Sequence, residues 1–239
     1  MAKAFFIDTT LCTACRACQV ACKQWHDLPA EETQNLGTHQ NPPDLSDKTY
    51  KLVRMNEKVI DGQLRWLFFP EQCRHCIEAP CLESLGDPAA IYRDEDTGAI
   101  LYTRQTRQYD ADSIIASCPY NIPRKGPDGT VFKCDMCNDR VHNGLLPACV
   151  QACPTGAMNF GEREAMLEMA NQRLNVVKAK YPQAMLLDPE YVSVIYLAAF
   201  PPENYHQFAI ASRAPAGVTR QMALRKMVRP FAAALSQLG

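Results

Sequence analysis

Long apolar runs are missing from this chain of 239 residues. The longest, Tyr191 to Phe200, is broken by Ser193 and has about half of the ~20 residues that a membrane-spanning helix requires. Met1 to Thr10 holds one lysine and the short run Ala4-Phe5-Phe6-Ile7, too brief for a secretory-signal core, so export by a signal of its own is not expected. Net charge is lacking too: 25 basic and 26 acidic residues leave −1, which gives no electrostatic case for nucleic acid. No dinucleotide fingerprint, phosphate loop or nucleophile–base set is present, and Gly156 and Gly161 are turn glycines. His26, His39, His142 and His206 are scattered without ligand spacing. The chain therefore has no visible means of transforming a substrate itself, and no catalytic residue is assigned.

Cysteine, by contrast, is abundant at twelve residues, with seventeen prolines. Cys12, Cys15, Cys18 and Cys22 spell C-x2-C-x2-C-x3-C, and Cys134, Cys137, Cys149 and Cys153 spell C-x2-C-x11-C-x3-C, followed by Pro154. Disulfide scaffolds rarely repeat C-x2-C, because that spacing brings sulfurs onto one metal rather than across a core. Structural zinc wants two pairs of ligands, whereas Cys12, Cys15 and Cys18 come as a triplet. A triplet with a fourth cysteine three residues on is the ligand grammar of two-cluster [4Fe–4S] ferredoxins, in which the last cysteine serves the other cluster. That rule groups Cys12, Cys15 and Cys18 with Cys153, and Cys134, Cys137 and Cys149 with Cys22.

The middle cysteines are irregular. Cys73, Cys76 and Cys81 lack a last member, and Cys118, followed by Pro119, lacks a triplet. Together they make one further site, and three sites of four account for all twelve cysteines. Lys23 and Arg74, beside ligands, are candidate counter-charges to a negative cluster; Arg16, Lys133 and Arg140 are weaker ones. His75, between two ligands, reads as a hydrogen-bond donor or packing residue, and Trp25 and Trp66 as core or interface.

Short strands and tight turns surround these loops. Ala4 to Asp8 reads as a buried strand, Cys18 to His26 as a helix stopped by Pro29, and Ala30 to Asp47 as loop. Hairpins are expected from Lys48–Met55 and Gln63–Phe69 across Asp61-Gly62, from Ala90–Arg93 and Ala99–Thr103, and around Asp128-Gly129. Glu162 to Lys180 carries a helical stripe (Met166, Leu167, Ala170, Leu174, Val177), Tyr191 to Phe200 a buried strand, and Thr219 to Leu238 a basic helix. The expected fold is α+β: a double ferredoxin-like iron–sulfur domain over residues 1–161, with hairpin insertions, then a helix–strand–helix extension over 162–239 that docks a partner.

The layout resembles the iron–sulfur (beta) subunits of the dimethyl-sulfoxide-reductase superfamily, in a version with three clusters where typical members carry four motifs. Pro29 to Thr33, His39 to Ser46 (HQNPPDLS), Trp66 to Cys76 (WLFFPEQCRHC) and Lys133 to Gly161 sharpen the likeness to soluble formate dehydrogenase beta subunits. The resemblance implies a non-catalytic subunit in a heterodimer. It would relay electrons through three [4Fe–4S] clusters between a large catalytic subunit, the one holding tungsten or molybdenum bis-pterin, and an external acceptor such as a cytochrome. It also implies a periplasmic location, reached by export with that partner, the cytoplasm being the alternative. A free-standing carrier, a subunit of another molybdopterin enzyme and a zinc-stapled adaptor are the competing readings.

Overall fold

Ala4-Phe5-Phe6-Ile7 has no polar face to turn toward water, so a strand built from it has to be covered on both sides. The computed structural model describes residues 2–211, and there β1 (Lys3–Asp8) is almost wholly buried. The chain then passes through a cysteine loop into α1 (Ala17–Trp25) and a long connection to a hairpin, β2 (Leu52–Ile60) with β3 (Gln63–Glu71). The hairpin turn is Asp61-Gly62, with both φ positive (51° and 73°), which matches the right-handed twist of the strands. Next come α2 (Pro80–Leu85), opened by Pro80 and closed by left-handed Gly86, and the small hairpin of β4 (Ile91–Arg93) and β5 (Ile100–Tyr102). A 3₁₀ turn (Arg104–Gln108) leads to α3 (Ala111–Ala116), whose Asp110 caps the Asp112 N–H at 3.2 Å. The last small hairpin joins β6 (Arg124–Lys125) to β7 (Val131–Phe132). After it lie α4 (Asn138–His142), α5 (Ala148–Gln151), β8 (Met158–Glu162), α6 (Arg163–Lys178), β9 (Met185–Leu187) and β10 (Val194–Ala198).

One four-stranded sheet, in the order β8-β1-β10-β9, ties the two ends of this course together. β1 runs parallel to β10, with Phe5 opposite Val194, and antiparallel to β8, with Phe5 opposite Phe160. Alternation divides the side chains by face. Ala4, Phe6, Ile195 and Leu197 meet Met166, Ala170 and Val177 of α6. Phe5, Ile7, Val194, Tyr196 and Ala198 turn the other way, into a cluster with Val53, Phe69, Cys18 and Cys149. The sheet is thus a wall with a helix on one side and the cysteine loops on the other.

Most of the expected elements form, with shifted ends: the first hairpin strand begins at Leu52 and runs to Ile60. The helix after residue 161 and the strand before Phe200 both form, and that strand lies inside the sheet beside β1. The basic stretch Thr219–Leu238 falls outside the described residues. Among the described residues no helix is long and apolar enough to cross a membrane.

Candidate metal centres

Loops that wrap a compact group need sharp turns, and here residues other than glycine take left-handed backbone conformations. They are Ala14 (φ 54°) and Arg16 (63°) after β1, His75 (45°) after β3, and Met136 (68°) and Cys137 (49°) before α4. Backbone donors face the sulfurs: His75 N–H lies 3.4 Å from Cys73 Sγ, Met136 N–H 3.4 Å from Cys134 Sγ, and Ile122 N–H 3.5 Å from Cys118 Sγ. All twelve cysteines are free of disulfides.

Their sulfurs fall into three neighbourhoods. Cys12, Cys15, Cys18 and Cys153 line one pocket together with Pro70 and Val53. Burial raises the Cys12 thiol to about 11, with Cys18 and Cys153 pushing the same way, and burial with Cys15 and Cys153 raises Cys18. Burial acts on Cys153 as well, but hydrogen bonds from Thr155, 3.7 Å away, and from nearby N–H groups outweigh it and hold that thiol below its ordinary value. The second neighbourhood lies where α1 and α5 touch. Burial, then Cys149 and Cys137, lifts Cys22 well above a normal thiol; burial and Cys149 bring Cys137 to about 12, and Cys134 is raised by burial, Asp135 and Cys22. The third is a pocket lined by Cys73, Cys76, Cys81 and Cys118, with Arg74 and Lys133. There burial raises Cys76, and Cys118 reaches about 12.

Three buried cations accompany these thiols. Arg74 is fully enclosed: its guanidinium lies 4.2 Å from the Tyr196 ring centre, with Phe69 and Tyr120 near 5 Å, and donates to Ala209 O at 3.2 Å. Lys133 donates to Ile100 O and to Cys134 O (3.0 Å) beneath the Tyr102 ring. Lys51 donates to Pro70 O at 3.1 Å and to Gln72 Oε1. Burial opposes the charge of Lys51, yet Cys18, Cys149, Tyr196 and Cys134 around it raise its pKa above that of an ordinary lysine. A buried ammonium is costly unless anions offset it, and among the described residues no carboxylate pairs with Lys51. Thiolates bound to iron would supply that negative charge, so donors and counter-charge both fit [4Fe–4S] clusters.

Other expected residues fall elsewhere. Lys23 points away from the sulfurs and ties loop carbonyls together, Pro29 O at 3.0 Å and Lys48 O at 2.6 Å, with Glu31 at 3.5 Å. Arg16 reaches His39 O, and Arg140 covers the exposed Trp25 ring at 4.2 Å. Trp66, also outside the core, is 61% exposed on the β2–β3 hairpin. His75 is buried, accepts the Ile100 N–H through Nδ1 at 3.0 Å, and is held neutral chiefly by its burial and then by Lys133. Lys51 was not legible in the sequence, because twenty or more residues separate it from any cysteine and it precedes an ordinary strand.

A family of 4Fe-4S dicluster domains matches residues 64–163, a span that holds eight of the twelve cysteines. The chain is 55% identical over 215 residues to the formate dehydrogenase subunit beta of Megalodesulfovibrio gigas, covering 88% of this chain and 100% of that one. It is 50% identical to the formate dehydrogenase 2 subunit beta (cytochrome c-553) of Nitratidesulfovibrio vulgaris, covering 87% and 99%. A nitrate-inducible formate dehydrogenase iron-sulfur subunit of Escherichia coli is 40% identical, with 84% and 70% covered.

Proposed function

The chain belongs to the iron–sulfur (beta) subunits of formate dehydrogenases, and from that premise we propose that it relays electrons between a formate-oxidising catalytic subunit and an external acceptor through three [4Fe–4S] clusters. The observation that supports it most is that Cys12, Cys15, Cys18 and Cys153 line one pocket and Cys73, Cys76, Cys81 and Cys118 another, while Cys22, Cys134, Cys137 and Cys149 raise one another's pKa near the contact of α1 with α5. These are the proposed ligand sets. When bound, the clusters supply one-electron redox chemistry at potentials that the protein sets.

The protein's own part is to hold, dry and charge these sites. Raised thiol pKa values mean that the cysteines surrender protons on loading, so assembly is favoured as pH rises. The sheet and α1 fix the ligand loops against motion, which keeps reorganisation small. The resemblance to formate dehydrogenase beta subunits supports assigning tungsten or molybdenum bis-pterin to the catalytic partner. The relative named for cytochrome c-553 supports a cytochrome as the acceptor. The periplasm is proposed as the working compartment, reached by export together with the catalytic subunit.

Metal content of the purified complex tests the cluster count. Replacing Cys118 by Ala is expected to remove about four irons per complex while the remaining cluster signals persist. Zinc in place of iron, or no change in iron, sinks the reading. Formate-dependent dye reduction by the parent complex checks the substrate. Cell fractionation checks the compartment: a periplasmic complex that stays cytoplasmic when the partner's export signal is removed is the expected result.

A further inference from the structure

Lys51 is a buried cation flanked by thiols of two groups, and nothing in the sequence motifs accounts for it. It directly precedes β2, is 2% exposed, and aims its ammonium inward. One proton goes to the carbonyl of Pro70, a residue that lines the pocket of Cys12, Cys15, Cys18 and Cys153. Another goes to Gln72 Oε1, immediately before Cys73. The Tyr196 hydroxyl donates to the same Pro70 oxygen at 2.7 Å, so that carbonyl is saturated and the ammonium is held in place. Cys18 of one thiol group and Cys149 and Cys134 of the other bear on the ammonium, and Cys18 and Cys149 share one buried cluster with Val53 and Phe69, so two different thiol groups share one cation.

We propose that Lys51 is a fixed positive charge shared by the first two clusters, a positioning residue that raises both of their reduction potentials while leaving the third to Arg74 and Lys133. The inference rests on the ligand sets proposed above. Reduction adds one negative charge to a cluster, and a cation buried in a low-dielectric interior stabilises that added charge far more than a surface lysine does. A purely structural Lys51 would anchor the hairpin through Pro70 and Gln72 and leave the potentials where they are. A charge acting through space moves two potentials together, in one direction.

Redox titration of the intact complex, followed by electron paramagnetic resonance, separates these cases. Lys51→Met should lower the midpoint potentials of both clusters built on α1 and α5, each by at least a tenfold change in the reduced-to-oxidised ratio, about 59 mV for a one-electron couple. The cluster of Cys73 should keep its parent potential, and Lys51→Arg should restore the other two. Lys51→Gln keeps a donor for Pro70 O without the charge and should behave like the Met variant. Unchanged potentials in the Gln variant, or an equal shift in all three clusters, overturns the proposal. If both neutral variants lose the first two clusters and Lys51→Arg keeps them, the charge is needed even to hold them, which supports it; their loss in the Arg variant as well overturns it. Parent iron content is measured in parallel, so failure of the ligand sets shows there and is distinct from failure of the Lys51 assignment.

Discussion

Cys18 and Cys22 stand one helical turn apart, so a single face of α1 presents both sulfurs. Cys149 lies on α5 and Cys153 just past its end, and α1 and α5 touch. Cys18 feels the charge of Cys153 and Cys22 that of Cys149, while Cys18 and Cys149 also bear on one another. On this arrangement we propose the crossed exchange of fourth ligands. Cys22→Ala is accordingly expected to abolish the cluster of Cys134, Cys137 and Cys149 and to leave that of Cys12 in place. Spectra showing the reverse loss would refute the crossed assignment. Tyr196→Phe gives a smaller, separate effect: removing one hydrogen bond to Pro70 O should cost about 0.5–1.5 kcal/mol, read as a lowered denaturation midpoint.

At the scale of elements, β1 carries the largest share of the packing. Phe5 is fully buried, edge-on to Phe160 at 4.7 Å between centroids, so Phe5→Ala should cost about 3–5 kcal/mol. Val59→Ala, at the exposed end of the β2–β3 hairpin, should change stability by less than about 0.5 kcal/mol. Chemical denaturation of the two variants side by side checks both. The same elements show what sequence can convey. β1, the hairpin turn at Asp61-Gly62 and the α6 stripe were legible because each is fixed by local pattern. β8, with the sequence Met158-Asn159-Phe160-Gly161-Glu162, alternates only over five residues and holds a glycine, and it is a strand because β1 offers it an edge. The cysteine spacing supplied the proposed grouping of thiols, whereas the buried cations answer to contacts between distant segments. That is why Lys23, adjacent to Cys22, turns outward to loop carbonyls while Lys51 faces the sulfurs.

For the molecule as a whole, acid should loosen the long connection between α1 and β2 first. Asp44 bridges Arg54 and Arg124, and Glu31 accepts from Ser46, Thr49 and Lys23. Partial burial tends to raise both carboxyls, but these partners outweigh it and hold them below their ordinary values of 3.8 and 4.5. Groups depressed in the folded state stabilise it fully above those values, and the contribution is lost as pH falls through the lower folded ones. Proteolysis or hydrogen exchange in residues 29–50 should therefore rise below about pH 4, ahead of exchange in β1 and β10. A rise confined to the sheet would contradict this order. The parallel pairing of Phe5 with Val194 also sets a timetable. Synthesis proceeds at roughly 5–20 residues per second, so the first strand and the thiols after it spend on the order of ten seconds or more outside the ribosome before their neighbours exist. During that interval Cys12, Cys15 and Cys18 are exposed to oxygen without a wall behind them, and the cell has to keep them reduced until the far end of the chain arrives to close the sheet.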